Sequence, residues 1–156
     1  MPRLLLALLI AMLPTAVSAA EWQYEDEGTP IAYFDNGAAQ FQFACRGGDL
    51  AMGFWVRSPH RQVAGAKSMN LAITPDPASG GSASFAQDMP LIHSDGTSMI
   101  VRGPVAQSWA RIAQKAKTTI RVAYAHKSGK LEFFDSNDFG AAGSSAAIKR
   151  VLDRCG

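Results

Sequence analysis

The chain has 156 residues, with 15 Lys and Arg against 13 Asp and Glu, a formal charge of +2, and two cysteines. That near balance gives no electrostatic reason to expect nucleic acid as a partner. The length suits one domain with a real core and leaves little room for two.

Met1-Pro2-Arg3 leads into the apolar run Leu4–Leu13, then Pro14 and the small residues Ala16-Val17-Ser18-Ala19-Ala20. A basic start, a hydrophobic stretch and an A-x-A-like region predict a secretory signal peptide over residues 1–20. A membrane anchor is the competing reading, but the run is shorter than the roughly 20 residues that cross a bilayer, and charge resumes at Glu21. No later segment is apolar for long enough to span. Residues 21–156 are therefore expected to form a single soluble α+β domain, periplasmic or secreted, with no stable membrane span after cleavage.

Trp22–Glu25 and Ile31–Phe34 read as short strands, with a turn at Asp35-Asn36-Gly37. Phe41, Phe43 and Cys45 alternate with Gln40, Gln42 and Ala44, a strand with Cys45 on its core face. Leu50–Val56 follows as a strand after Arg46-Gly47-Gly48-Asp49, then a loop over Ser58–Ala66. Met69, Leu71 and Ile73 alternate in the next strand, Phe85–His93 is weakly extended, and Met99-Ile100-Val101 is strand-like. A helix is predicted after Gly103 with Pro104 in its first turn, where a missing N–H costs nothing. Its apolar stripe is Val105, Trp109, Ile112, Ala113 and Ala116, with Trp109 in the core. Thr118–Ala125 and Leu131–Phe134 are strands around a turn at Ser128-Gly129. A last helix starts at Ser144 or Ser145 as cap and carries Ile148, Val151 or Leu152, and Cys155 on one face. This order predicts mainly antiparallel sheet, a curved sheet or sandwich, with two helices in the C-terminal half.

Two cysteines in an exported chain allow one connectivity, Cys45 with Cys155. A redox pair or two metal thiolates would need features that are missing: there is no C-x-x-C, and no histidine lies near Cys155.

Catalytic patterns are scarce. His60, His93 and His126 lie on separate segments without metal-ligand spacing, and read as solvated loop residues. Asp76, Asp88, Asp95, Asp135 and Asp138 read as turn residues, and Asp135, Asn137 and Asp138 lack the spacing of a calcium loop. No serine lies in G-x-S-x-G, and Gly47-Gly48 and Gly80-Gly81 lack the lysine of a phosphate cradle. No metal or cofactor is expected. Pairs such as Arg57 with Arg61, or Lys115 with Lys117, would bind an anion only if the fold clustered them. Trp55 stands near Arg57 and His60 at a strand end beside a loop, a pattern that suits a binding hot spot as well as simple packing under the loop.

The C-terminal third carries a resemblance. A helix at Val105–Lys115, the strand Thr119-Ile120-Arg121-Val122, Phe133-Phe134, Phe139, Gly143, Ala146-Ala147-Ile148, Val151-Leu152 and terminal Cys155 follow in order. This ending resembles that of the type VI secretion-associated VasI/TagO group and, less closely, IalB-like invasion-associated proteins. The resemblance implies architectural positions (core aromatics, a tight glycine and a disulfide) and an envelope accessory role. The expectation is a non-enzymatic periplasmic binding or accessory protein whose partner is an envelope protein, a glycan or a small ligand. A small envelope hydrolase is the alternative, and it requires His93 or His60 to meet an aspartate or serine in a concave site.

Overall fold

A computed structural model describes residues 20–128 and 130–155. The expected signal peptide, apart from Ala20, and Gly129 of the expected Ser128-Gly129 turn lie outside the described residues. The elements run β1 Gln23–Glu25, β2 Ile31–Asp35, β3 Ala39–Arg46, β4 Asp49–Val56, β5 Ser68–Pro75, β6 Ser84–Ser94 and β7 Met99–Pro104. After these come α1 Gln107–Lys115, β8 Thr119–Ser128, β9 Lys130–Gly140 and α2 Ser144–Leu152. The strands form one sheet in the order β1-β2-β3-β4-β7-β6-β5-β8-β9, every pair antiparallel. The class is α+β, as the sequence predicts, with both helices in the C-terminal half.

Strand alternation builds the core. Phe41 and Phe43 of β3, Met52 and Phe54 of β4, Leu71 and Ile73 of β5, and Ile120, Val122 and Tyr124 of β8 are all buried. A slip of one residue in β3 would turn both phenylalanines to water, forfeiting about 1.5–3 kcal/mol for each, so the register is strongly specified. Inside the curve, α2 buries Ile148 and Val151, and α1 adds Ala110 and Ala113.

The curvature has a local source in β6. Its first half pairs with β5, while Leu91–Ser94 pair with β7. Inside the β5-paired part, at the register shift between Met69 and Leu71, Asp88 adopts φ 51°, and its N–H donates to Asn70 Oδ1 at 3.0 Å. An irregularity of this kind bends a strand and lets it serve two sheet segments. The bend brings β8 across from β4 and β7, where the Tyr124 hydroxyl lies 3.1 Å from the carbonyls of both Phe54 and Met99. The first and last strands also meet. The Phe34 and Phe139 rings stand 5.8 Å apart, the Trp22 indole N–H donates to the Gly140 carbonyl at 2.9 Å, and the Asn36 amide donates to Asn137 Oδ1 at 3.1 Å. Side chains and one backbone bond, from the Trp22 N–H to the Ala142 carbonyl at 3.1 Å, close this seam. Cys45 and Cys155 are bonded, with Cα atoms 5.5 Å apart, and tie the end of the chain to β3.

Several local expectations are corrected. Pro104 belongs to β7, opposite Ala51, and Val105 still donates its N–H to the Leu50 carbonyl, so α1 starts only at Gln107. Trp109 is half-buried at the edge of the core. α2 is capped by Gly143 at φ 78°, a conformation glycine accepts without strain, while Ser144 is buried with Oγ 3.5 Å from the Ala113 carbonyl. Strand β9 runs on to Gly140, absorbing Asp135 at φ 53°, instead of stopping at Phe134. Of the three phenylalanines in the resembling segment only Phe139 is core; Phe133 lies outside, 48 % exposed. His93 and His126 sit in strands, β6 and β8, with exposed side chains.

Candidate functional site

Strand β4 sends Phe54 and Val56 into the core, which leaves Trp55 on the outer face between Gln40 of β3 and Ile100 of β7. Arg57 follows two residues later on the same side, and its guanidinium lies 4.2 Å above the Trp55 ring. Asp35, at the end of β2, holds it there with a two-pronged pair: Nη1 donates to Oδ1 at 3.0 Å and Nη2 to Oδ2 at 2.5 Å. Nη1 also donates to the Gly37 carbonyl at 3.2 Å. Hydrogen bonding from Arg57 keeps the Asp35 carboxyl below its ordinary value. The guanidinium thus meets the indole with its face and the carboxylate with its edge.

The Trp55 indole nitrogen is buried and finds no acceptor among the described residues. An unpaired buried donor costs about 1–3 kcal/mol.

Beside Arg57 opens a cavity of about 390 Å³, bounded by Gly37, Ala38, Arg57, Ser58, Asp135 and Asn137. It lies where the β2–β3 turn, the end of β4 and the irregular middle of β9 converge. His60 reaches the same place indirectly. Its backbone N–H donates to both Asp135 oxygens at 3.1 and 2.9 Å, and its ring lies 5.2 Å from the Phe134 ring. Trp55 and Arg57 thus form one unit, and His60 joins it across the cavity wall through Asp135.

Asp35 and Asp135 are the members that sequence reasoning missed. Asp35 belongs to an Asp-Asn-Gly turn and reads as turn chemistry. The β2–β3–β4 register, which aligns Asp35 with Gln40 and Gln40 with Trp55, was the available signal.

The other candidate groups are held in structural roles. Asp76 accepts N–H bonds from Lys117, Thr118 and Thr119, which hold its carboxyl far below the usual range. Asp95 accepts from the hydroxyl and N–H of Thr97 and the N–H of Ser98, and is lowered in the same way. His93 comes within 3.4 Å of Asp95, with about half of each side chain exposed. Asp138 is forked by Arg121 at 2.7 and 2.9 Å. Among the described residues no cluster of three or more His, Cys, Asp and Glu is placed to hold a metal. The cavity beside Arg57 offers hydrogen-bonding groups and a cation.

No protein-family model, curated protein or solved structure matches the chain.

Proposed function

We propose that this chain is an exported periplasmic binding or accessory protein that engages an envelope partner through the Trp55–Arg57 face. The observation that carries the reading is the Arg57 guanidinium fixed 4.2 Å over Trp55 by Asp35, beside an open cavity. Tryptophan and arginine dominate binding hot spots because they offer a large rigid area and several donors at once. Side chains already fixed lose little freedom on binding, which favours affinity. The Cys45–Cys155 bond supports export, since such bonds persist in oxidising compartments. No helix among the described residues is long and apolar enough to cross a membrane. The VasI/TagO-like ending makes a secretion-associated envelope role the first to examine.

Two steps test this. Cell fractionation with thiol alkylation should find the processed chain in the periplasmic fraction with both cysteines protected. Capture from native envelope extract by the oxidised protein, read by mass spectrometry, should then enrich a defined partner. A reduced, cytosolic chain would refute the proposal.

A further inference from the structure

We infer that the cavity between Arg46 and Arg102 is a binding site for a phosphate-type oxyanion. This site lies on the same outer face as Trp55 but stands independently of it.

Arg46 closes β3 at the Arg46-Gly47-Gly48-Asp49 hairpin, and Arg102 lies in β7, paired in register with Gly53 of β4. Strand β4 runs between them and brings together two arginines far apart in the chain. They share a cavity of about 220 Å³ with Asp49, Leu50, Ala51 and Pro104. Strand β4 contributes Asp49, Leu50 and Ala51 to the cavity wall. At Gly53 a Cβ would stand 2.8 Å from Gln42 Nε2 and 3.3 Å from Arg102 Cγ, so the missing side chain lets both stems lie across the strand.

Most of the other described arginines are engaged. Arg57, Arg121 and Arg154 each pair with an aspartate, and Arg150 stacks 3.7 Å over Tyr24. Among the described residues neither Arg46 nor Arg102 forms an ion pair, and no hydrogen bond engages either guanidinium; Asp49 lines the cavity without pairing with either. Two cations and one carboxylate leave the cavity with a net positive charge. Burial, and then the neighbouring charge of Arg46, pull Arg102 below the ordinary arginine value, a direction that a neighbouring anion would reverse.

The donor count favours the ligand class. One guanidinium already satisfies both oxygens of a carboxylate, whereas two guanidiniums lining one cavity suit an anion with at least three acceptor oxygens, as phosphate provides. A free phosphate and a phosphate carried on a lipid headgroup share this chemistry.

The test follows the arginine side-chain NMR signals of the oxidised protein during titration with inorganic phosphate, against sodium chloride at equal ionic strength. Saturable shifts at Arg46 and Arg102 are expected, about tenfold weaker binding in Arg102→Gln, and tighter binding in Asp49→Asn, which a merely structural role would not produce. Sedimentation with phosphatidylglycerol vesicles, but not phosphatidylcholine vesicles, lost in Arg102→Gln, assigns the phosphate to a lipid; phosphate binding without sedimentation assigns it to a free ion. Shifts no larger than those from chloride, or equal binding by wild type and Arg102→Gln, would overturn the inference.

Discussion

The Arg57 guanidinium lies 4.2 Å over the Trp55 ring while Asp35, from a neighbouring hairpin, grips its edge through both Nη atoms. Two strands, β2 and β4, thereby fix one half-buried aromatic–cation pair. The pair is worth little to folding: about a third of each side chain in the Arg57–Asp35 bridge is exposed, and such bridges contribute about 0.2–1 kcal/mol, with a comparable gain from the cation over the ring. Arg57→Ala should therefore leave thermal unfolding nearly unchanged while weakening partner binding at least tenfold, the size expected when a hot-spot side chain is truncated. Calorimetric melting run beside a binding titration separates the two effects. A large loss of stability with unchanged binding would make the stack a structural brace.

Cys45→Ala and Cys155→Ala should destabilise the oxidised protein by the same amount. Closing a loop across a sequence separation of 110 residues restricts the unfolded chain by up to about 4–5 kcal/mol. Chemical denaturation of both variants, with reduced wild type alongside, checks this. Variants as stable as the oxidised wild type would show that the bond contributes nothing to the fold.

Tyr124 spans the inside of the curve, its hydroxyl lying near the carbonyls of Phe54 and Met99. Burial raises its pKa well above the usual tyrosine value, so it remains a donor throughout the physiological range. Tyr124→Phe should cost about 1 kcal/mol, the net worth of one buried hydrogen bond. Tyr124→Ala should cost about 3–5 kcal/mol through the cavity it leaves. Equal losses in the two variants, measured by urea unfolding, would mean that the hydroxyl carries the whole effect.

Asp76 makes stability depend on pH. Its carboxyl titrates lower in the folded state than its ordinary value of 3.8 because the N–H groups of Lys117, Thr118 and Thr119 bind the charged form. Its stabilisation is therefore complete above pH 3.8 and is lost as pH falls through the folded value. Asp76→Asn keeps the side-chain shape and tolerates the left-handed backbone at φ 45°, but removes the charge. The variant should melt below wild type at neutral pH and converge with it in acid. A gap independent of pH would contradict this assignment.

What could be read in advance depended on whether the signal was local. Phe41, Phe43 and Cys45 announce a half-buried strand by alternation alone, and Ile148 and Val151 mark the buried side of α2 by helical spacing, although the helix ends at Leu152 and Cys155 is buried beyond it, not on its face. The extent of β9 was hidden because Asp135-Ser136-Asn137-Asp138 has turn composition. The segment stays extended because Arg121 holds Asp138 and the His60 N–H reaches Asp135, contacts set by the tertiary fold. The start of α1 was missed because its cap, Ala106, makes no side-chain bond and Pro104 fits a strand end as well as a first turn. In the candidate site, Trp55 and Arg57 were visible as neighbours on one strand. Asp35 and the cavity wall at Asp135 come from other hairpins, as do Arg46 and Arg102, and only strand order brings such residues together.

The most direct measurement is parallel capture from native envelope extract by oxidised wild type, Trp55→Ala and Arg57→Ala, each first shown by circular dichroism to be folded. If the Trp55–Arg57 face is the binding surface, one partner will be enriched by wild type and lost from both variants. Identical capture by all three proteins, or no specific capture of protein, glycan or small ligand by wild type, would contradict it.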